Sequence, residues 1–150
     1  MKNNMRILSL DYGDARCGVA ITDALNITAQ GLETIYCNNS DRIILKRLDE
    51  IFKEYEIDTI VIGMPLNMNG TKSERVQKTE KFIHKLKCKY NNIKIKTVDE
   101  RLTTVAAHKT MNFLDVNRNK KKDIVDTISA VYILETYLNK MKNLLQNEKK

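Results

Sequence analysis

The stretch that most constrains this chain is RILSLDYGDARCGVAITD, residues 6–23. Ile7, Leu8 and Leu10 form an apolar run that stops on a carboxylate, Asp11. A glycine-containing turn follows, Tyr12-Gly13-Asp14-Ala15-Arg16, and residues 17–22 make a second apolar run. Two β-prone runs joined by about five residues that include glycine predict a hairpin. Aspartate is depleted in strands and costly to bury alone. At the end of an apolar strand it asks for a metal, a cation or backbone donors as its partner.

The later elements matter for what they bring to that acid. Residues 26–36, with Ile27, Ala29, Leu32, Thr34 and Ile35, predict a third strand bent or bulged at Gly31. Asn38-Asn39-Ser40-Asp41 is a turn and helix N-cap cluster. Ile44, Leu48, Ile51, Phe52 and Tyr55 then recur at helical spacing, which predicts an amphipathic helix. Residues 58–63, DTIVIG, fit a strand buried on both faces. The loop of residues 64–71 holds the only proline, and a helix over about 72–89 buries Val76, Phe82, Ile83 and Leu86. A strand at residues 93–98 runs into Asp99-Glu100-Arg101.

Thr103 or Thr104 can cap a helix reaching about residue 114, and residues 115–122 read as a polar, basic loop. The last helix, residues 123 to about 141, is apolar on most sides and so is expected to be buried. The order βββαβαβαα predicts an α/β fold: a mixed five-stranded sheet with helices on both faces and the first strand central. Residues 1–140 read as a single domain, and residues 141–150 as a polar tail that frays.

Charge and cysteine usage bound the function. A net charge of +7 favours a polyanionic partner, a solvated surface being the alternative. Cys17, Cys37 and Cys88 are odd in number and far apart, so they make neither a zinc knuckle nor a disulfide framework and suit a reducing compartment. Asp11 interrupts the only early apolar run, which excludes a signal-peptide core, and no stretch approaches the roughly 20 apolar residues of a membrane span. A cytoplasmic protein with no membrane partner is expected.

Three acids stand out: Asp11, Glu100 and Asp126, each at an end of an otherwise apolar element. Ser129 and Ala130 follow Asp126 at helical spacing, so that face can lie close to the sheet. Three carboxylates brought to one sheet edge repel unless cations neutralise them, and hard oxygen donors suit Mg²⁺ or Mn²⁺. Each acid also has a plain structural account. Asp11 can open the turn, Glu100 can pair with Arg101, and Asp126 can sit in a first helical turn capped by Asp123.

The spacing Asp11-x-Gly13-x-x-Arg16-x-Gly18-Val19-Ala20 resembles the opening motif of the YqgF family, Holliday-junction-resolvase-like proteins regarded as pre-16S rRNA nucleases. Three further pieces resemble that family in its order: Gly63-Met-Pro65-Leu-Asn67-Met-Asn-Gly70-Thr71, Asp99-Glu100-Arg101-Leu-Thr103-Thr104 and Asp126-Thr-Ile-Ser129-Ala130. The resemblance spans about residues 5–138. It implies an RNase H-like fold and a metal-dependent endo- or exonuclease that processes the 5′ end of pre-16S rRNA in ribosome biogenesis. It also implies that Asp11, Glu100 and Asp126 form the catalytic triad, as ligands of a two-ion Mg²⁺ or Mn²⁺ site. Tyr12 and Cys17 stand where the family is usually apolar. Asp123 is similar to the paired acids on the last helix of true resolvases, so it is either a fourth ligand or, as its position favours, the helix N-cap.

Grip on the substrate is expected from phosphate contacts by Arg16, Asn67, Thr71, Arg75, Arg101 and Lys120 to Lys122, the lysines having a solvated loop as their alternative. Three Phe, six Tyr and no Trp favour recognition by shape and backbone over base stacking. His84 and His108 are expected on helix surfaces without a catalytic part. Structured RNA and branched DNA are both open as partners, and so are monomer and homodimer. The rival readings are a Holliday-junction resolvase, a non-catalytic RNA-binding assembly factor, and an ATPase sharing the Asp-x-Gly hairpin. The last needs a second comparable domain, for which 150 residues leave no room.

Overall fold

The computed structural model describes residues 5–65, 74–99 and 118–148, with the side chains of residues 118–126 and 146–148 excepted. The strands are β1 (Arg6–Tyr12), β2 (Arg16–Thr22), β3 (Ala29–Tyr36), β4 (Ile57–Met64) and β5 (Lys94–Asp99). The helices described are α1 (Asp41–Glu54), α2 (Glu74–Lys89) and α3 (Arg118–Glu148). The five strands form one mixed sheet in the order β3-β2-β1-β4-β5. β2 is antiparallel to β1 and β3, whereas β4 is parallel to both β1 and β5. The predicted sheet, with β1 in its centre, is therefore the observed one.

Period-two alternation assigns the two faces of β1. Leu8 and Leu10 are fully buried in the core that holds Ile44, Leu48 and Ile51 of α1 and Phe82 and Leu86 of α2. Ile7 points the other way and packs with Ala20, Ala130 and Leu134, under α3. On the same face the buried Ser9 hydroxyl donates to the carbonyl of Ala130 at 2.6 Å. A polar side chain in a dry layer needs such a partner, and this one locks strand to helix.

β3 starts later than predicted. Residues 26–28 belong to a turn in which Asn26 has φ 56° and the Asp23 carboxylate accepts the N–H groups of Ile27 and Thr28. These bonds hold the Asp23 carboxyl below its ordinary pKa. The bulge lies where it was expected: Val19 faces Glu33 but Ala20 faces Gly31, leaving Leu32 as the extra residue. A Cβ on Gly31 would fall 2.1 Å from the Cγ2 of Thr127 on α3, so glycine is what lets the helix lie this close.

Gly31→Ala is accordingly expected to cost about 1–3 kcal/mol by forcing α3 away from β3. Thr127→Ser, which removes the clashing methyl, should restore much of that loss, and a double-mutant cycle in urea reads the coupling. Additive losses would show that the helix is not seated there.

α3 departs most from expectation. It begins at Arg118, so the basic stretch read as a loop is already helical. Asp123 is then inside the helix and not its N-cap. Arg and Lys are good helix formers, and no Gly or Pro interrupts this run, so its charge marks a helix surface and not a loop. The helix continues to Glu148, past the boundary expected near residue 141. It is not buried all round: Ser129, Ala130, Ile133 and Leu134 are buried, Glu135 is exposed, and Met141, Leu144 and Leu145 face solvent. The α1 N-cap differs too, since Ser40 makes no side-chain capping bond. The helix expected over about residues 103–114 lies outside the described residues.

Candidate active site

Asp11 is the penultimate residue of β1 and pairs with Gly18 of β2, which in turn pairs with Thr34 of β3. Side chains along such a row share a face, and Gly18 offers none, so the next side chain on the face of Asp11 is that of Thr34. The row is crossed by α3, where the Thr34 and Thr127 hydroxyls lie 3.2 Å apart. One step back along β1, Ser9 meets Ala130, and a further step back Ile7 packs against the cluster that holds Leu134. α3 therefore runs antiparallel to β1. Asp126, next to Thr127 and one turn before Ala130, belongs to the helical segment above the Asp11 row, although its side chain lies outside the described residues.

The parallel strands end at this same edge. Met64 of β4 pairs with Asp99, the last residue of β5. Glu100 follows Asp99 in the chain but lies outside the described residues, as do Asn67, Thr71, Arg101 and His108. Lys120 is in the first turn of α3, with its side chain not described. Among the described residues no three His, Cys, Asp or Glu converge to hold a metal.

What the structure does bring together is a shallow concavity of about 260 Å³ lined by Asp11, the turn Tyr12–Arg16 and Arg75 of α2. Three of the predicted residues, Asp11, Arg16 and Arg75, thus share one surface, two cations beside an acid. The expectation missed Lys78, whose Nζ lies 3.5 Å from the Asp14 carboxylate and ties α2 to the hairpin turn. Its position one helical turn after Arg75 is the signal that would have found it.

The turn is built to be rigid. The N–H groups of Cys37 and Asn38 donate to the carbonyl of Ala15 at 3.0 and 3.2 Å, and that of Asn39 to Asp14 at 2.5 Å. Asn38 and Asn39 reach these positions with φ of 46° and 64°, the left-handed region that asparagine tolerates best after glycine. A Cβ on Gly13 would sit 2.6 Å from the carbonyl oxygen of Arg16. Burial pushes the Cys37 thiol up, leaving it a neutral group whose Sγ lies 3.3 Å from the Asp14 carbonyl. Tyr12, on the opposite face from Asp11, donates its hydroxyl to Asp41 at 2.5 Å and stacks on Phe82 at 4.4 Å. Burial, with Asp41 close by, raises its phenol well above the ordinary value, so it stays a donor. His84 is exposed on α2, its Nε2 3.6 Å from the Cys88 thiol, and lines no part of the concavity.

A five-stranded mixed sheet, an acid closing its central strand and a long final helix across that strand define an RNase H-like fold. The fowlpox virus Holliday junction resolvase shares it, with a TM-score of 0.57 at 15% identity over 91% of this chain and 99% of that one. T. thermophilus RuvC, solved in complex with a Holliday junction substrate, gives 0.55 at 11% identity over 91% and 96%. A family model described as "RuvX: Holliday junction resolvase" matches residues 5–140, and the chain belongs to this family, which is that of the YqgF resemblance. A protein of Ruminiclostridium cellulolyticum named "Putative pre-16S rRNA nuclease" is 54% identical over 139 residues, 91% of this chain and 96% of its own. A protein of Acetivibrio thermocellus with the same name is 47% identical over 135 residues, 90% and 96%.

Proposed function

We propose that this chain is a divalent-metal-dependent nuclease that trims the 5′ end of the 16S rRNA precursor in the cytoplasm. The observation that carries this reading is the Asp11 row, an acid at the end of the central strand crossed by the helical segment that bears Asp126. The names of relatives 47–54% identical over nine-tenths of the chain support the substrate. Among the described residues no helix is long and apolar enough to cross a membrane.

Asp11, Glu100 and Asp126 would hold the metal, and their all-oxygen donor set fits Mg²⁺ or Mn²⁺. Asp123 stands three residues before Asp126 in the helix, at a spacing that shares its face, and is a candidate fourth ligand. A bound pair of such ions supplies an activated water for in-line attack and charge stabilisation at the leaving 3′ oxygen. The chain's own cations do the positioning. Arg16 and Arg75 flank Asp11 and hold the phosphates on either side of the scissile bond, with Asn67, Thr71, Arg101 and Lys120 as further contacts. The clamped turn keeps Arg16 and Asp11 in fixed relation while the strand is bound. Cleavage leaves 3′-hydroxyl and 5′-phosphate ends.

The test compares a labelled RNA carrying a precursor 5′ end with a DNA four-way junction, in Mg²⁺, Mn²⁺ or EDTA. The RNA should be cut with either metal and left intact in EDTA. Preferential cutting of the junction would replace the rRNA substrate with branched DNA. If neither is cut in either metal while the RNA is bound, the nuclease reading falls and the assembly-factor reading takes its place.

A further inference from the structure

The opposite end of the sheet carries a second surface, independent of the nuclease reading. A groove of about 1110 Å³ lies between the start of β4 and β5, the turn after β2, and the C-terminal half of α3. Four large apolar side chains that line it are exposed: Ile27 (67%), Met141 (41%), Leu144 (51%) and Leu145 (57%). Among the described residues they are most of the exposed large apolar side chains, and their gathering in one groove is unlike the scattered exposure of an ordinary surface.

The turn that presents Ile27 is tightly built. Asp23 accepts the N–H groups of Ile27 and Thr28, and the Asn26 side-chain amide donates to the carbonyl of Met5 at 2.8 Å. Ile27 is therefore held outward by a fixed backbone. On α3, Met141, Leu144 and Leu145 recur at three- and four-residue spacing, an apolar stripe that continues beyond the buried part of the helix.

The rim is basic. Lys87, Lys94, Lys96, Lys140 and Lys142 line the same groove, and Asp58 is its one acid among the described residues. An apolar floor gains nothing from a phosphate backbone, and a second copy of this chain would set lysine rim against lysine rim. We infer that the groove is a docking site for an acidic amphipathic segment of a protein partner, its apolar face on the α3 stripe and its carboxylates on the lysines. Helix-in-groove recognition of this kind combines buried anchors with complementary charge at the rim.

The probe is a synthetic helical peptide of about four turns with leucines at three- and four-residue spacing and glutamates on its flanks. Fluorescence anisotropy should show saturable micromolar binding, weakened by salt. Lys94→Glu with Lys96→Glu, and separately Leu144→Ser with Leu145→Ser, should each weaken it about tenfold or more. All four positions are exposed, so thermal melts and RNA cleavage should stay at wild-type values. A companion peptide with lysines for glutamates should not bind. No saturable binding of the acidic peptide, or equal binding of the basic one, overturns the inference. So does a concentration-dependent dimer abolished by the leucine substitutions, which would make the groove a self-contact.

Discussion

Asp11→Asn is expected to slow RNA cleavage by about a thousandfold, on the order of 4 kcal/mol of transition-state stabilisation, with RNA affinity unchanged or slightly improved. The substitution keeps the size of the side chain and removes its charge. The backbone should keep its place, because the register of Asp11 against Gly18 in the β1–β2 pair does not depend on the side-chain charge. The phosphate grip proposed for Arg16 and Arg75 should be retained, and the loss of a negative charge beside the substrate should help it. Single-turnover cleavage with saturating enzyme, filter binding and a thermal melt separate these effects. A variant that cuts at the wild-type rate would remove Asp11 from the chemistry, whatever the substrate proves to be.

The largest loss of stability is expected at Phe82→Ala, about 3–5 kcal/mol and a melting temperature lower by roughly 10 °C. Phe82 is fully buried on α2 and packs in the core between the two helices and the sheet. It also stacks on Tyr12 at 4.4 Å, almost parallel, directly after Asp11 in the chain. Truncation leaves a cavity beneath the strand end that carries the acid, so cleavage should also fall at temperatures well below the melt. Phe82→Leu, which refills most of the volume, should recover most of both. Urea unfolding gives the energy, and a loss below about 1 kcal/mol would mean that α2 does not close this side of the sheet.

Much of this was legible in the sequence because it is local. The first hairpin, the amphipathic α1 and the buried β4 each follow from patterns a few residues long, and the central place of β1 beside β4 follows from the order of the elements along the chain. The Gly31 bulge could also be read, since glycine inside a strand pattern marks either a bulge or a close approach, and here it marks both. The start of α3 could not: a run of charges is as much a helix surface as a loop, and nothing local decides between them. Of the site, Asp11, Arg16 and Arg75 could be chosen as residue types, but their meeting depends on α2 lying beside the hairpin turn. The Lys78–Asp14 contact and the clamp by Cys37 to Asn39 are tertiary in the same sense. Helical spacing from Arg75 points to Lys78 as a residue, but that it meets Asp14, and that residues 37–39 clamp the turn, emerges only when the chain is folded.

The bond from Ser9 to Ala130 spans 121 positions of sequence. During synthesis the hairpin carrying Asp11 can pair as soon as it leaves the ribosome, whereas the stretch of helix that crosses it is made 121 positions later. A partly made chain thus holds its first acid over an uncovered sheet face, with none of the helix that brings Asp126. Long-range closure of this kind is also slow, because the loop entropy is lost before the contact forms. On the proposed triad, cleaving power needs this helix, so translation products interrupted before it are expected to be inert toward the RNA around them.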